Sequence, residues 1–120
     1  ARRWRQGPSM RARRSGAAGC ALADGRVLVC GGRDGLDYLS SSELFDVAVS
    51  KWIVGPPLKS RRYLASACLL RSGLVLVAGG CGAGDGNRFA STELFDSVSA
   101  TWLTGPCMGV KREGLAICAL

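Results

Sequence analysis

Ser41-Ser-Glu-Leu-Phe-Asp46 is followed, six residues after its Asp, by Trp52. Both elements return, because Ser91-Thr-Glu-Leu-Phe-Asp96 leads to Trp102 at the same spacing. Val27-Leu-Val-Cys-Gly-Gly32 has its own echo in Val75-Leu-Val-Ala-Gly-Gly80. The chain is thus a tandem array with a period near fifty residues. A period of that size signals stacked supersecondary units, none of which buries its apolar surface alone.

Working outward from these copies gives four strands per unit. The first, at Ser15 to Leu22 and again at Tyr63 to Leu70 and Gly114 to Leu120, is rich in Gly, Ala, Ser and Cys. Small side chains suit a crowded place where neighbouring sheets converge. Asp24-Gly25 and Ser72-Gly73 then make tight turns, since Gly supplies a positive φ. Val27 to Cys30 and Val75 to Ala78 are continuous apolar runs, which predicts strands covered on both faces. The pairs Gly31-Gly32 and Gly79-Gly80 close those strands and allow close backbone approach or an unusual φ. After each pair comes a loop, Arg33 to Ser40 or Cys81 to Ala90, and its length alone separates the Trp-to-Trp spacings of 48 and 50. The Glu-Leu-Phe-Asp strand, a short turn and the Trp strand complete the unit, and Gly-Pro stops the Trp strand at Gly55-Pro56 and Gly105-Pro106. No stretch combines helical periodicity with caps, so no helix is expected. Covered sheets stacked on identical sheets give a β-propeller.

Net charge is +7, concentrated at the start: Arg2, Arg3, Arg5, Arg11, Arg13 and Arg14 lie in the first fourteen residues, which hold no acid. A basic end can be a footprint for nucleic acid. Here part of it belongs to the repeat, because Arg14 aligns with Arg62 and Arg112, and Arg13 with Arg61 and Lys111. A nucleic-acid partner is therefore not expected. No apolar run reaches the eighteen or so residues of a membrane helix, so no membrane association is expected.

The chain has six cysteines and no histidine. Cys20, Cys68 and Cys118 each follow a Trp by sixteen residues, and equivalent positions in successive repeats are expected to lie too far apart to bond. Without Cys-x-x-Cys or His, the usual zinc spacings and a Ser-His-Asp triad are both excluded within this chain. Free thiols fit a reducing compartment, so a cytoplasmic location is expected. Gly79-Gly-Cys-Gly-Ala-Gly-Asp-Gly-Asn87 fails the spacing of a phosphate loop and leads into a strand, not a helix. Neither Asp85 alone nor Asp34 with Asp37 makes a calcium loop.

Taken together, Gly31-Gly32, Phe45, Trp52 and Arg62, then Gly79-Gly80, Phe95, Trp102 and Arg112, resemble the kelch repeat. Phe stands where kelch motifs often have Tyr. A WD-type propeller is disfavoured, since no Trp-Asp pair and no His occur. The resemblance implies an all-β fold: a kelch-type propeller fragment with two complete four-stranded antiparallel blades plus flanking strands. Its expected divisions are 1–12, the last strand of a preceding blade and its loop; 13–60 and 61–110, two repeats with their following loops; and 111–120, the first strand of a next blade. For Arg14, Arg62 and Arg112 an inter-blade ion pair or carbonyl contact is preferred to a ligand contact.

The resemblance further implies a protein-interaction scaffold, such as the substrate-recognition part of a ubiquitin ligase adaptor or a cytoskeletal scaffold. On that reading the chain is not an enzyme and needs no cofactor. Its partners would be another protein or peptide and the remaining blades of a longer chain. The candidate protein-binding loops carry Arg33, Asp34, Asp37, Tyr38, Asp85, Asn87, Arg88 and Phe89. The alternative is part of a kelch-propeller enzyme, such as a galactose oxidase-like copper oxidase, whose catalytic residues lie outside this chain. Such enzymes hold copper through His and Tyr, and this chain offers only Tyr38 and Tyr63.

Overall fold

A computed structural model describes residues 3–82 and 88–113. Two four-stranded antiparallel sheets account for most of it. The first runs β1 (Ala18–Ala21), β2 (Val27–Cys30), β5 (Ser42–Asp46) and β6 (Lys51–Val54), in that spatial order. The second repeats it with β7 (Ser66–Leu69), β8 (Val75–Ala78), β9 (Thr92–Asp96) and β10 (Thr101–Thr104). A two-residue hairpin, β3 (Arg33–Asp34) and β4 (Asp37–Tyr38), projects from the first loop. This is the all-β, two-blade arrangement that the repeat predicts.

Register is conserved between the sheets. Val27 faces Phe45 and Phe45 faces Trp52, just as Val75 faces Phe95 and Phe95 faces Trp102. Each Phe and Trp lie 5.0 Å apart, tilted at 49° in the first sheet and 46° in the second. Cross-strand aromatic pairs of this kind stabilise a sheet beyond the area they bury.

The core sits between the two sheets. Leu28, Cys30 and Leu44 of the first pack with Val75, Val77, Phe95 and Trp102 of the second. The two apolar strands therefore bury opposite alternations. Leu28 and Cys30 are buried in β2, with Val27 and Val29 half-covered, whereas Val75 and Val77 are fully buried in β8 and Leu76 is not. Only one face of each sheet meets its neighbour here, which accounts for the half-covered residues that the apolar runs alone do not distinguish.

The inner strands β1 and β7 pack against each other. Burial raises the Cys20 thiol, and Cys68 adds to that effect. Both are free. Small residues on β1 and β7 permit this convergence.

The glycine pairs combine two constraints. Gly31 and Gly32 have φ of 68° and 94°, values that side chains disfavour. A Cβ on Gly31 would also collide with the Arg62 carbonyl oxygen of the next unit. The Gly32 N–H donates to that same carbonyl at 2.7 Å. Backbone thus meets backbone across the blade boundary, and a side chain would hold the blades apart.

The segment expected as a preceding blade's last strand carries no ladder among the described residues, and Trp4 is fully exposed. At the far end Arg112 bridges Phe89, and residues 114–120 lie outside the described residues.

Gly25 also has a positive φ, 90°, but nothing within 4 Å of an added Cβ. Gly31→Ala should therefore destabilise the fold clearly more than Gly25→Ala, which bears only the backbone term of about 1 kcal/mol. Urea melts of the two variants provide the comparison.

Candidate functional site

Two groups of polar side chains stand out, one at the blade boundaries and one at the loop end. The boundary group is built twice. Arg14 leaves the segment before β1 and reaches Glu43 on β5, its Nη2 lying 3.1 Å from Oε2. It also donates to the Gly31 and Ser41 carbonyls, each at 2.9 Å, and to the Ser41 hydroxyl at 2.9 Å. Arg62 repeats this on the second sheet: Nε to Glu93 at 2.9 Å, Nη1 to the Gly79 and Ser91 carbonyls, and Nη2 to the Ser91 hydroxyl.

The remaining carboxylate oxygens are met by backbone. Arg11 and Ala12 N–H groups donate to Glu43 at 2.7 and 3.2 Å, and Lys59 and Ser60 N–H groups to Glu93 at 2.6 and 3.2 Å. All four charged side chains are almost wholly removed from solvent. Such burial is tolerable only because every donor and acceptor is met; no buried side-chain N or O lacks a partner among the described residues. Burial acts to raise the Glu43 pKa, but the Arg11 N–H, the Arg14 side chain and the Ala12 N–H outweigh it and the value falls.

The Arg62 side chain thus holds its own sheet, and the contact it makes across the boundary is its backbone carbonyl, which accepts the Gly32 N–H. The partners Glu43 and Glu93 escape a motif search that stops at the aromatic residues. Their signal is present in the sequence, as a carboxylate at one fixed position in both copies of an otherwise apolar strand. A second tie accompanies the clamp: the indole N–H groups of Trp52 and Trp102 donate to the Pro8 and Pro56 carbonyls at 3.0 and 2.9 Å.

The loop end holds the predicted candidates, and they do not form one site. Arg33 lies over two aromatic rings, 5.7 Å from the Tyr38 centroid and 5.1 Å from that of Tyr63. The two rings meet edge to face at 5.8 Å. Tyr63 belongs to the following blade, so this stack bridges the boundary, and sequence reading places Arg33 and Tyr38 there but not Tyr63. Asp34 and Asp37 are exposed on the hairpin around Leu36, which is 91% exposed. Arg88 pairs with Glu113 at 2.8 Å on the surface. Phe89 turns inward, its ring 5.0 Å from the Arg62 guanidinium carbon. Asp85 and Asn87 lie outside the described residues.

Chemically, these groups position and recognise. Burial is the chief influence raising the Cys20, Cys30 and Cys81 thiols, Cys30 to about 12, so none is primed as a thiolate nucleophile. Among the described residues no three His, Cys, Asp or Glu side chains gather where a metal could sit. With no His in the chain and both tyrosines engaged around Arg33, the donor set does not fit copper.

The kelch motif matches residues 13–59. No curated protein matches the chain. Among solved structures, a fungal alcohol oxidase of the AA5 family in complex with copper superposes with a TM-score of 0.62 at 26% identity. The match covers 73% of this chain and 18% of the oxidase; the chain thus spans less than a fifth of that protein's length. This likeness corrects the expectation that the chain is non-enzymatic, since its fold and part of its sequence recur inside an oxidase.

The matched stretch contains Arg14 and Glu43 of the first clamp, whereas Arg62 and Glu93 of the second lie beyond it. Arg62→Ala leaves the Glu93 carboxylate buried without its counter-charge and should cost about 3–5 kcal/mol, read from denaturant midpoints. Glu43 has a lowered folded pKa, so its contribution is complete above the ordinary value of 4.5 and is lost as pH falls below that through the folded value. Melts across this range should show that loss in the native chain and a flatter response in Glu43→Gln.

Proposed function

We propose that this kelch-repeat segment, two neighbouring blades of a β-propeller, is a scaffold portion of a propeller oxidase whose metal ligands and reacting groups lie outside these residues. The observation that carries the reading is the superposition on the copper-complexed alcohol oxidase, in which sequence identity accompanies the shared fold. The donor set agrees with the division of labour. This chain supplies blade-to-blade clamps and loop residues, and leaves metal binding to other parts of the protein.

On this reading the clamps have a catalytic consequence without touching substrate. Residues gathered from several blades keep their separations only if the angle between blades is fixed. A displacement of about 1 Å can cost on the order of 100-fold in rate. An arginine fixed to one sheet by its buried side chain and to the other by its backbone carbonyl is a rigid way to fix that angle.

The test uses the natural protein that contains these residues, loaded with copper and assayed for oxygen uptake with a simple primary alcohol. Stoichiometric copper binding and alcohol-dependent oxygen uptake are expected there, with no stoichiometric binding by the 120-residue chain. Failure of the whole protein to bind copper or oxidise alcohols overturns the reading.

A protein-docking role for the loop end is the second reading, favoured by one observation: Leu36 stands almost fully exposed between two acidic residues. An apolar anchor ringed by charge suits a partner with a basic-rimmed pocket. Leu36→Ala should then weaken capture of a binding protein while leaving the melting temperature unchanged.

A further inference from the structure

We propose that the loop end carries a binding row for an acidic polysaccharide, a chain of carboxylate-bearing sugars, built from Arg11, Arg13, Lys59 and Arg61. The row stands whatever chemistry the whole protein performs.

Along the sequence the net charge of +7 looks like a basic start, but folding makes it a basic end. The tight turns at the opposite end of the two sheets hold Asp24, Asp46 and Asp96 against Arg26, Lys51 and Arg71, which balance. The buried pairs Arg14 with Glu43 and Arg62 with Glu93 cancel as well. The excess therefore falls on the first segment and the loop end.

The clamps fix how that excess is displayed. Arg11 and Lys59 give their backbone N–H groups to Glu43 and Glu93, so they are pinned at equivalent places while their side chains are exposed. Arg13 and Arg61 directly precede the arginines whose side chains are buried, and both are exposed. The same two cations thus recur one sheet apart, a step on the order of 10 Å. Lys111, exposed at the position equivalent to Arg13 and Arg61, continues the row. Among the described residues no carboxylate lies within ion-pair distance of Arg11, Arg13, Lys59 or Arg61. Lys59 Nζ donates to the Thr104 hydroxyl at 3.2 Å, a neutral partner that leaves the charge uncompensated. With the backbone already held, only side-chain freedom remains to be lost when a ligand binds.

Cations repeated at a fixed step suit a linear polyanion, and guanidinium forks match carboxylates with two bonds each. Single-stranded nucleic acid also draws on ring faces for successive bases. Here Tyr38 and Tyr63 stack with Arg33, Phe89 lies against Arg62, and Trp4 is the one aromatic ring among the described residues that stands wholly in solvent. A rigid duplex would meet the exposed Asp34 and Asp37 on the projecting hairpin, whose carboxylates repel phosphate. An acidic peptide gains no apolar anchor beside Lys59, because Leu58 is buried. A thin, flexible chain of uronic acids passes beside the hairpin and sets carboxylates on successive boundaries.

The test uses the natural protein that contains these residues, with polygalacturonate as the probe and its methyl ester as the neutral comparison. The acid polymer should bind, should weaken as salt rises, and should bind more tightly than galacturonate oligomers too short to span a blade boundary. Arg13→Gln and Arg61→Gln should each weaken binding by about threefold, as for an exposed charge pair. Both together with Lys59→Gln should weaken it by at least about tenfold. Lys51→Gln and Arg71→Gln, at the turn end, should leave it unchanged. All five side chains are exposed, so the variants should melt with the native protein, and the series reads this surface whatever the other parts of the protein bind. No binding of the acid polymer, equal binding of the ester, native affinity in the loop-end variants, an equal loss in the turn-end variants, or tighter binding of duplex DNA or polyglutamate at the same salt overturns the proposal.

Discussion

Everything else in this fold depends on a buried arginine whose guanidinium holds a glutamate of its own sheet while its backbone carbonyl meets the sheet before. Left unpaired, either charge would oppose burial by several kcal/mol. Together, with two backbone N–H groups and a serine closing the set, they can be enclosed. The pair therefore contributes less as net attraction than as a condition. The apolar faces of Leu28, Leu44, Val75 and Phe95 can meet only in the arrangement that also satisfies the clamp. Apolar contact alone tolerates sliding; a guanidinium with four partners does not.

The glycine pairs belong to the same constraint. Arg62 contributes its side chain to Glu93 on its own sheet and its carbonyl to Gly32 on the preceding one. One residue thus fixes its position relative to both sheets, through side chain on one side and main chain on the other. Gly32 has to lack a side chain because Arg62 has to be that close. The aromatic pairs fill the volume beside this junction, and the Trp indole reaches past it to the preceding unit's proline carbonyl.

Much of this was legible in the residues. The repeat fixed strand order, strand pairing and the equivalence of the arginines, because each rests on spacing that the sequence displays directly. The two four-stranded sheets followed. What stayed hidden depends on distance between units. That β1 and β7 pack against each other was not visible, because strand convergence is a property of the stack and not of the period. Tyr63 completes the Arg33 stack from the next blade, where no local pattern marks it. The face of β8 that would be covered could not be chosen from a run of four apolar residues. Nor could the residues choose between scaffold and enzyme: the repeat admitted a copper oxidase as the alternative, but with no histidine in the sequence only the comparison of the whole fold favoured it.

The ties between units join unlike surfaces. A Trp donates back to the unit before it, and each glycine pair donates forward to the next arginine's carbonyl. Such a contact is heterologous: the surface that gives differs from the surface that receives. Heterologous contacts have no built-in stopping point, and they close into a ring or continue as a spiral according to the rotation added at each step. The rise and turn between the two sheets therefore decide how many units a closed assembly of this kind can contain. A substitution that altered that rotation by a few degrees could leave every blade folded and still prevent the last from meeting the first.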